Sequence, residues 1–262
     1  MAACLAAGQT GPPLRAQAAG DSSTWASASQ TASGQDLIYG GHFRAAGAYF
    51  DTLTWRYPGD PTGPALAASA LIWWGEARRD DRYEADSIDR LLSEAARRAY
   101  RAAAATTTDS AKVAALFWVG TALGYRARQA DLHGRPFQAI GDAKRMRAAL
   151  DSALVLDSAC VDCRLGLAVY GYALARAGFL ARLAAAILGL GGGNARASLA
   201  AMRLVSERGT VARTEAQWVY ASALLREGKR GDGRRAEAHR IIAELVARYP
   251  DNPVFRRFLA TP

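Results

Sequence analysis

Two cysteines three positions apart have the spacing in this chain that most directly suggests chemistry. Cys160 and Cys163, in the stretch CVDC, are spaced like the cysteines of a thiol–disulfide redox site. If Ser158 or Ala159 caps a helix, both thiols lie in its first turn, where the helix dipole favours the thiolate. Redox enzymes with this motif place it beside strands, and no strand pattern is visible here. A structural disulfide is therefore the other interpretation.

Other residue types that carry chemistry do not form a recognisable site. A zinc site needs two ligands besides the cysteine pair, and no second cysteine pair exists. His42, His133 and His239 lie far apart and outside any His-Glu-x-x-His pattern. The glycine cluster at residues 189–193 lacks the lysine and hydroxyl residue of a phosphate loop. The sequence predicts a non-catalytic protein without cofactor or metal. A redox or enzyme-accessory role centred on the cysteine pair is the alternative.

The elements that must position these residues are helices. From residue 35 onward, apolar residues recur at spacings of three and four, which is typical of amphipathic helices. Gly40 and Gly41 divide a first helical pair, Pro136 suits a first helical position, and Asn194 suits a cap. Thr106–Asp109 form a linker whose last residues can cap the next helix. The helices predicted after the first pair span residues 65–79, 83–105, 110–131, 136–157, 160–178, 178–190, 195–208, 214–227 and 234–249.

Two segments of the chain end in nearly identical hexapeptides. These are RYPGDP at residues 56–61 and RYPDNP at residues 248–253. Aligning residues 41–61 with 233–253 matches a glycine, a small residue, two apolar residues and a proline at offsets 0, 5, 9, 12 and 17. A weaker third copy ends at residues 153–158, with serine in place of the proline. This pattern resembles the second half of a tetratricopeptide repeat, a helix–turn–helix unit of about 34 residues.

The resemblance implies an all-α superhelix, a solenoid of about five stacked helical hairpins. In such a unit the small residue lies where two helices approach closely. The large apolar residue, Phe50 in the first copy and Ile242 in the last, fills the space between neighbouring hairpins. Phe255, Phe258 and Leu259 are then expected to cover the open end of the stack as a capping helix.

The resemblance also implies a binding function. In tetratricopeptide arrays the first helix of each hairpin lines a concave groove, where aromatic anchors and arginines hold peptides or partner helices. We therefore expect a scaffold that binds a protein, a peptide or another extended ligand in this groove. Most aromatic side chains of such an array fill gaps between helices, and only a few face the groove. The candidates for the groove are Trp73, Trp118, Tyr125, Arg126, Arg128, Tyr172 and Trp218.

The net charge of +9 raises the question of a nucleic-acid partner. Only Lys112, Lys144 and Lys229 are lysines, and the arginines are spread along the chain, often beside acids, as in RRDDRYEADSIDR. That spread disfavours nucleic acid and favours solvated helix faces with a general attraction to anionic surfaces, such as a peripheral envelope association. No apolar run reaches the roughly 20 residues that span a bilayer.

The beginning of the chain differs in composition from the remainder. Residues 1–34 are small, polar and aperiodic, which predicts a disordered segment ahead of a repeat domain at 35–262. The stretch AQA at residues 16–18 fits a small-residue cleavage site, and Cys4 fits the end of a lipoprotein signal, although an apolar central region is missing. The expected location is the periplasm or cell envelope, with the cytoplasm as the alternative.

Overall fold

The computed structural model describes residues 25–177, 192–229 and 232–259. These residues form eleven α-helices and no β-strand. The helix expected at residues 178–190 lies outside the described part of the chain. The eleven helices are α1 (Ala28–Tyr39), α2 (Phe43–Arg56), α3 (Thr62–Arg78), α4 (Ala85–Ala105), α5 (Asp109–Leu132), α6 (Pro136–Leu156), α7 (Arg164–Arg176), α8 (Ala195–Arg208), α9 (Arg213–Glu227), α10 (Gly233–Arg248) and α11 (Pro253–Leu259).

Consecutive helices pack against each other along the whole described chain. The hairpins are α1–α2, α3–α4, α5–α6, α7–α8 and α9–α10, and the second helix of each contacts the first helix of the next. The short helix α11 packs on α10 and also reaches α3. The predicted fold class, an α-α superhelix of about five hairpins, is confirmed.

The repeated sequence positions occupy equivalent places in the structure. Phe50 and Ile242 are both fully buried, as the space between hairpins requires. The turns that follow also match. The Tyr57 N–H donates to the Leu53 carbonyl at 2.9 Å, and in the last copy the Tyr249 N–H donates to the Leu245 carbonyl at 2.8 Å. In the third copy the Asp157 N–H makes this bond at 2.8 Å, so the turn forms without a proline.

Local capping signals predicted several helix starts correctly. The Asn194 side chain accepts the Ala197 N–H at 3.0 Å, and Thr108 caps α5 in the same way. Pro136 occupies the first turn of α6, where its missing N–H costs nothing.

The first helix begins earlier than the expected boundary at residue 35. Ser27 caps α1 by accepting the Gln30 N–H, and the Gln30 side chain accepts the Ser27 N–H in return. Gly34 then lets α2 approach, because a Cβ there would lie 2.3 Å from a ring carbon of Phe50. A small, polar helix with these contacts has no clear apolar periodicity, which is why the sequence pattern placed its start too late.

The two ends of the described array touch each other. Asn252, just before α11, donates from its side chain to the Tyr39 carbonyl at the end of α1, at 2.9 Å. The Tyr249 hydroxyl donates to Asp36 at 2.9 Å. Gly41, at φ 83°, packs so closely on this seam that a Cβ would lie 3.0 Å from the Asp251 carbonyl. We call this contact between the α1–α2 turn and the α10–α11 turn the closing seam.

The closing seam changes the role expected for the C-terminal aromatic residues. Phe255 is fully buried, and its ring lies 5.3 Å from that of Trp73 on α3 and 5.6 Å from that of Trp218 on α9. Phe258 also packs on Trp218, at 4.2 Å. The expectation that α11 covers an open end is therefore wrong, because α11 fills a joint between the last hairpin and α3 of the second hairpin.

Candidate functional site

The first helices of the hairpins converge on one carboxylate of α9. Glu215 Oε2 accepts the Tyr39 hydroxyl of α1 at 3.3 Å and the Trp73 indole N–H of α3 at 3.1 Å. Tyr125 of α5 interacts with the same carboxylate, and Arg128 lies close enough to add a favourable charge. We call Tyr39, Trp73, Tyr125 and Glu215 the carboxylate hub.

Loss of hydration dominates the electrostatics of the carboxylate hub. Burial raises the pKa of Glu215, and this effect outweighs the stabilisation of the carboxylate by Trp73, Arg128 and the two tyrosines. The pKa values of Tyr39 and Tyr125 are also well above their usual range, mainly because burial disfavours the phenolate. Both tyrosines therefore remain hydrogen-bond donors at neutral pH.

An aromatic cluster lies beside the carboxylate hub. Trp218, three residues after Glu215, has its ring 5.7 Å from that of Trp73 and close to Phe255 and Phe258 of α11. Trp73 is only 3% exposed. Trp73 and Trp218 are therefore packed against each other and against α11.

Two other predicted groove residues on first helices are also internal. Trp118 is buried and packs edge-on against Phe117 at 5.2 Å. Tyr172 of α7 is buried and donates its hydroxyl to Glu227 at the end of α9, at 2.8 Å. Glu227 also forms an ion pair with Arg176, so α7 is tied to α9 by a second polar contact.

The two predicted groove arginines take part in ion pairs within the chain. Arg126 donates to both oxygens of the fully buried Asp142 at 2.7 and 2.6 Å, and to Ser93 at 2.9 Å. These contacts join α4, α5 and α6, and hydrogen bonding to Asp142 raises the pKa of Arg126. Arg128 pairs with Glu76 of α3 near the surface.

The structure therefore brings Trp73, Tyr125, Arg128 and Trp218 together around α9 and leaves Trp118, Arg126 and Tyr172 elsewhere. The crevice beside Arg128 and Glu76 has a volume of about 10 Å³, which is the size of one water molecule. A role of these residues in partner binding remains a prediction. Their side chains already stabilise the packing of the array.

The cysteine pair lies in the turn before α7. Helix α7 begins at Arg164 with Cys163 at its N-cap, so neither Ser158 nor Ala159 caps it and the two cysteines precede its first turn. Cys160 and Cys163 form a disulfide with a Cα–Cα distance of 5.4 Å, and both residues are buried. An attacking thiolate must reach a disulfide sulfur directly, so exchange at this pair requires the turn to open.

Sequence reasoning missed the buried polar residues that tie the turns together. Asp162 accepts three successive backbone N–H groups, those of Thr210, Val211 and Ala212, in the loop before α9. Asp60 accepts the N–H groups of Ala26 and Thr62 in the same manner, and burial raises its pKa. For Asp60 the available sequence signal was its place before proline in RYPGDP, which matches the asparagine before proline in RYPDNP. Nothing local marked Glu215.

Several large apolar side chains are exposed. Trp55 on α2 is 85% exposed, Phe137 on α6 is 90% exposed and Val155 on α6 is 86% exposed. Trp55 lies two positions after Leu53, and Val155 lies two positions after Ala153, the residue equivalent to Leu53 in the third copy. Trp55 and Val155 therefore lie on the same side of their respective helices.

Two further properties concern only the described residues. None of their helices combines the length and apolar character needed to cross a bilayer. They contain no group of three or more His, Cys, Asp and Glu side chains placed to hold a metal ion. Comparison of the chain with protein-family models, with curated proteins and with solved structures finds no match.

Proposed function

We propose that this chain is a non-catalytic helical-repeat scaffold, built from tetratricopeptide-like units, that binds a protein or peptide partner. The observation that carries the proposal is the exposure of Trp55, Phe137 and Val155 on a frame in which the buried polar side chains of the described residues are paired. Tryptophan and phenylalanine are costly to leave in water, and tryptophan is common at the energetic centre of interfaces.

The fixed packing of the array suits the binding of a partner. The closing seam, the carboxylate hub and the Arg126–Asp142 pair each join helices that are distant in sequence. A frame fixed in this way loses little conformational freedom when a partner docks, so a modest contact area can give useful affinity.

The exposed apolar residues are a better binding region than the aromatic cluster beside α9. Trp73 and Trp218 pack on each other, and the polar group of Trp73 donates to Glu215. A partner would have to displace α9 to use them, and breaking a buried network of this kind costs several kcal/mol. The burial of Cys160 and Cys163 likewise gives the redox alternative little support.

We propose on sequence grounds that this protein acts in the periplasm or cell envelope. The composition of residues 1–34 and the cleavage-site pattern at residues 16–18 support export. Fractionation of cells that carry a tagged full-length protein tests this location, and recovery in the cytosol alone would contradict it.

Site-specific cross-linking tests the binding function. A photo-reactive phenylalanine analogue is placed at Trp55, at Phe137 or, as a control, at Arg240 on the exposed face of α10. We expect position 55 or 137 to give a discrete cross-linked product in the native cell that position 240 does not give.

The cross-linked protein is then purified and its affinity for the full chain is measured directly. We expect Trp55→Ala or Phe137→Ala to weaken binding by about 30-fold, as for an interface anchor worth roughly 2 kcal/mol. Equal affinity of the wild type and both variants, or identical products at all three positions, would overturn the proposal.

A further inference from the structure

We propose that a cleft beside α4 binds an acidic peptide segment, with the peptide carboxylate on the guanidinium of Arg98 and an apolar neighbour against Leu91 and Pro64. This inference rests on the proposed function, because it names a site and a partner chemistry for a peptide-binding scaffold. The residues that line the cleft, which we call the α4 cleft, are Thr54, Pro64, Arg90, Leu91, Ser93, Glu94, Arg97 and Arg98.

The shape of the α4 cleft fits a short peptide segment. Its volume is about 470 Å³, within the range of roughly 300–1,000 Å³ that is usual for ligand sites. Six of its residues lie on one face of α4 at helical spacing, and the end of α2 and the start of α3 form the opposite side. Leu91 and Pro64 provide apolar surface beside the charged groups.

Arg98 is held in place before any ligand binds. Its Nε donates to Glu94 at 2.7 Å, and its Nη1 lies 3.2 to 3.4 Å from the carbonyl oxygens of Thr54, Tyr57 and Asp60. The Arg98 side chain is only 12% exposed. Its Nη2 donates to no described residue, so the two N–H groups of that nitrogen remain for a ligand.

The charge balance of the α4 cleft selects a single carboxylate. Arg90 forms no ion pair with any described residue, and Arg97 shares Glu94 with Arg98. The buried carboxylate of Asp60 also lies close enough to interact with Arg98, so three guanidinium groups face two carboxylates. Loss of hydration lowers the pKa of Arg98, and a ligand carboxylate would restore favourable charge there. The three guanidinium groups and the two carboxylates of Glu94 and Asp60 leave one positive charge, which a single ligand carboxylate neutralises and a phosphate dianion exceeds.

Titration of the full chain with two short peptides tests the site. The probes are acetyl-Leu-Glu-Leu-amide and its glutamine analogue, and the readout is the ¹⁵N spectrum of the backbone and of the arginine side chains. We expect the glutamate peptide to shift the Arg98 Nε signal and the backbone signals of residues 90–98, and to bind at least 10-fold more tightly than the glutamine peptide.

Two charge reversals in the cleft and one outside it distinguish binding at this site from attraction to the overall positive charge of the protein. Arg90→Glu and Arg97→Glu should each weaken the glutamate peptide at least 5-fold, whereas Arg240→Glu on α10, with the same charge change, should leave its affinity within 2-fold. All three side chains are exposed, so the variants should fold normally.

Several outcomes overturn this inference. They are equal binding of the two peptides, equal weakening by Arg240→Glu, or binding of inorganic phosphate as tightly as the glutamate peptide at the same signals. If the partner identified by cross-linking still binds Arg97→Glu normally but not Trp55→Ala, the scaffold function stands and the α4 cleft is not its site.

Discussion

Replacing Phe255 with alanine should destabilise the whole array, not just its last helix. Phe255 is fully buried, and its ring contacts Trp73 of α3 and Trp218 of α9 with centroid separations of 5.3 and 5.6 Å. The side chain therefore connects the first part of the chain to the last. Its removal opens a cavity at the joint and loses both aromatic contacts.

The size of the effect follows from that burial. A Phe→Ala change in a core costs about 3–5 kcal/mol, and each aromatic pair accounts for roughly 0.5–1.5 kcal/mol of such energies. For a domain of this size, each kcal/mol lowers the melting temperature by about 2–4 °C. We expect Phe255→Ala to lower it by about 6–20 °C.

The matched control is Phe137→Ala, which removes the same atoms from a residue that is 90% exposed. Its free energy of unfolding should stay within about 0.5 kcal/mol of the wild type. Urea titrations followed by helical circular dichroism measure both variants. If Phe255→Ala lies within about 1 kcal/mol of Phe137→Ala, then α11 unfolds independently and the reasoning about the joint fails.

Three further changes test other contacts. Glu215→Gln should flatten the pH dependence of the free energy of unfolding. Because burial raises the pKa of Glu215, the stability that this residue contributes is present below its unfolded pKa and is lost as the pH rises through its folded pKa. Urea titrations from about pH 4 to 8 measure this dependence. Asp142→Asn should cost about 3 kcal/mol or more because Arg126 loses a buried carboxylate, whereas Asp151→Asn, in an exposed ion pair, should cost less than about 1 kcal/mol. Gly41→Ala should lower the melting temperature measurably, because φ there is 83° and the added methyl meets the closing seam.

The predictable features of this fold are those encoded by neighbouring residues. The spacing of apolar side chains gave the helices, and the matched positions of Phe50 and Ile242 gave the stacking of hairpins. Caps such as Asn194 depend on a side chain reaching a backbone group three residues away. All of these interactions are complete within one or two hairpins, so a single sequence contains enough information to locate them.

The features that were missed depend on the curvature of the whole array. The Gln35 side chain donates to the Val211 carbonyl and the Tyr39 hydroxyl to Glu215, each across 176 residues of sequence. Small changes in the angle at each hairpin accumulate along a stack, and no local pattern specifies their sum. The sequence therefore indicated aromatic first helices correctly, but not that Glu215 of α9 accepts hydrogen bonds from Tyr39 and Trp73 or that α11 packs on Trp73.

The same limit applies to the α4 cleft. Arg98 is one of many arginines in the sequence, and its position is special only because the turn after α2 presents three carbonyl oxygens to it. The exposure of Trp55 was easier to predict from the sequence. Trp55 lies two positions after the buried Leu53 on α2, and residues two apart on a helix point in different directions.

The central claim is that the first and last hairpins meet at the closing seam. Spin labels at the exposed residues His42 and Asp251, in a Cys4→Ser background, allow the distance between the two ends to be measured by electron–electron double resonance. We expect one narrow distribution at short distance, because the backbone of Gly41 packs directly on that of Asp251. An open stack of about five hairpins, with about 8–10 Å per helix contact, would instead separate the labels by on the order of 40 Å or more. A distribution centred there would contradict the account.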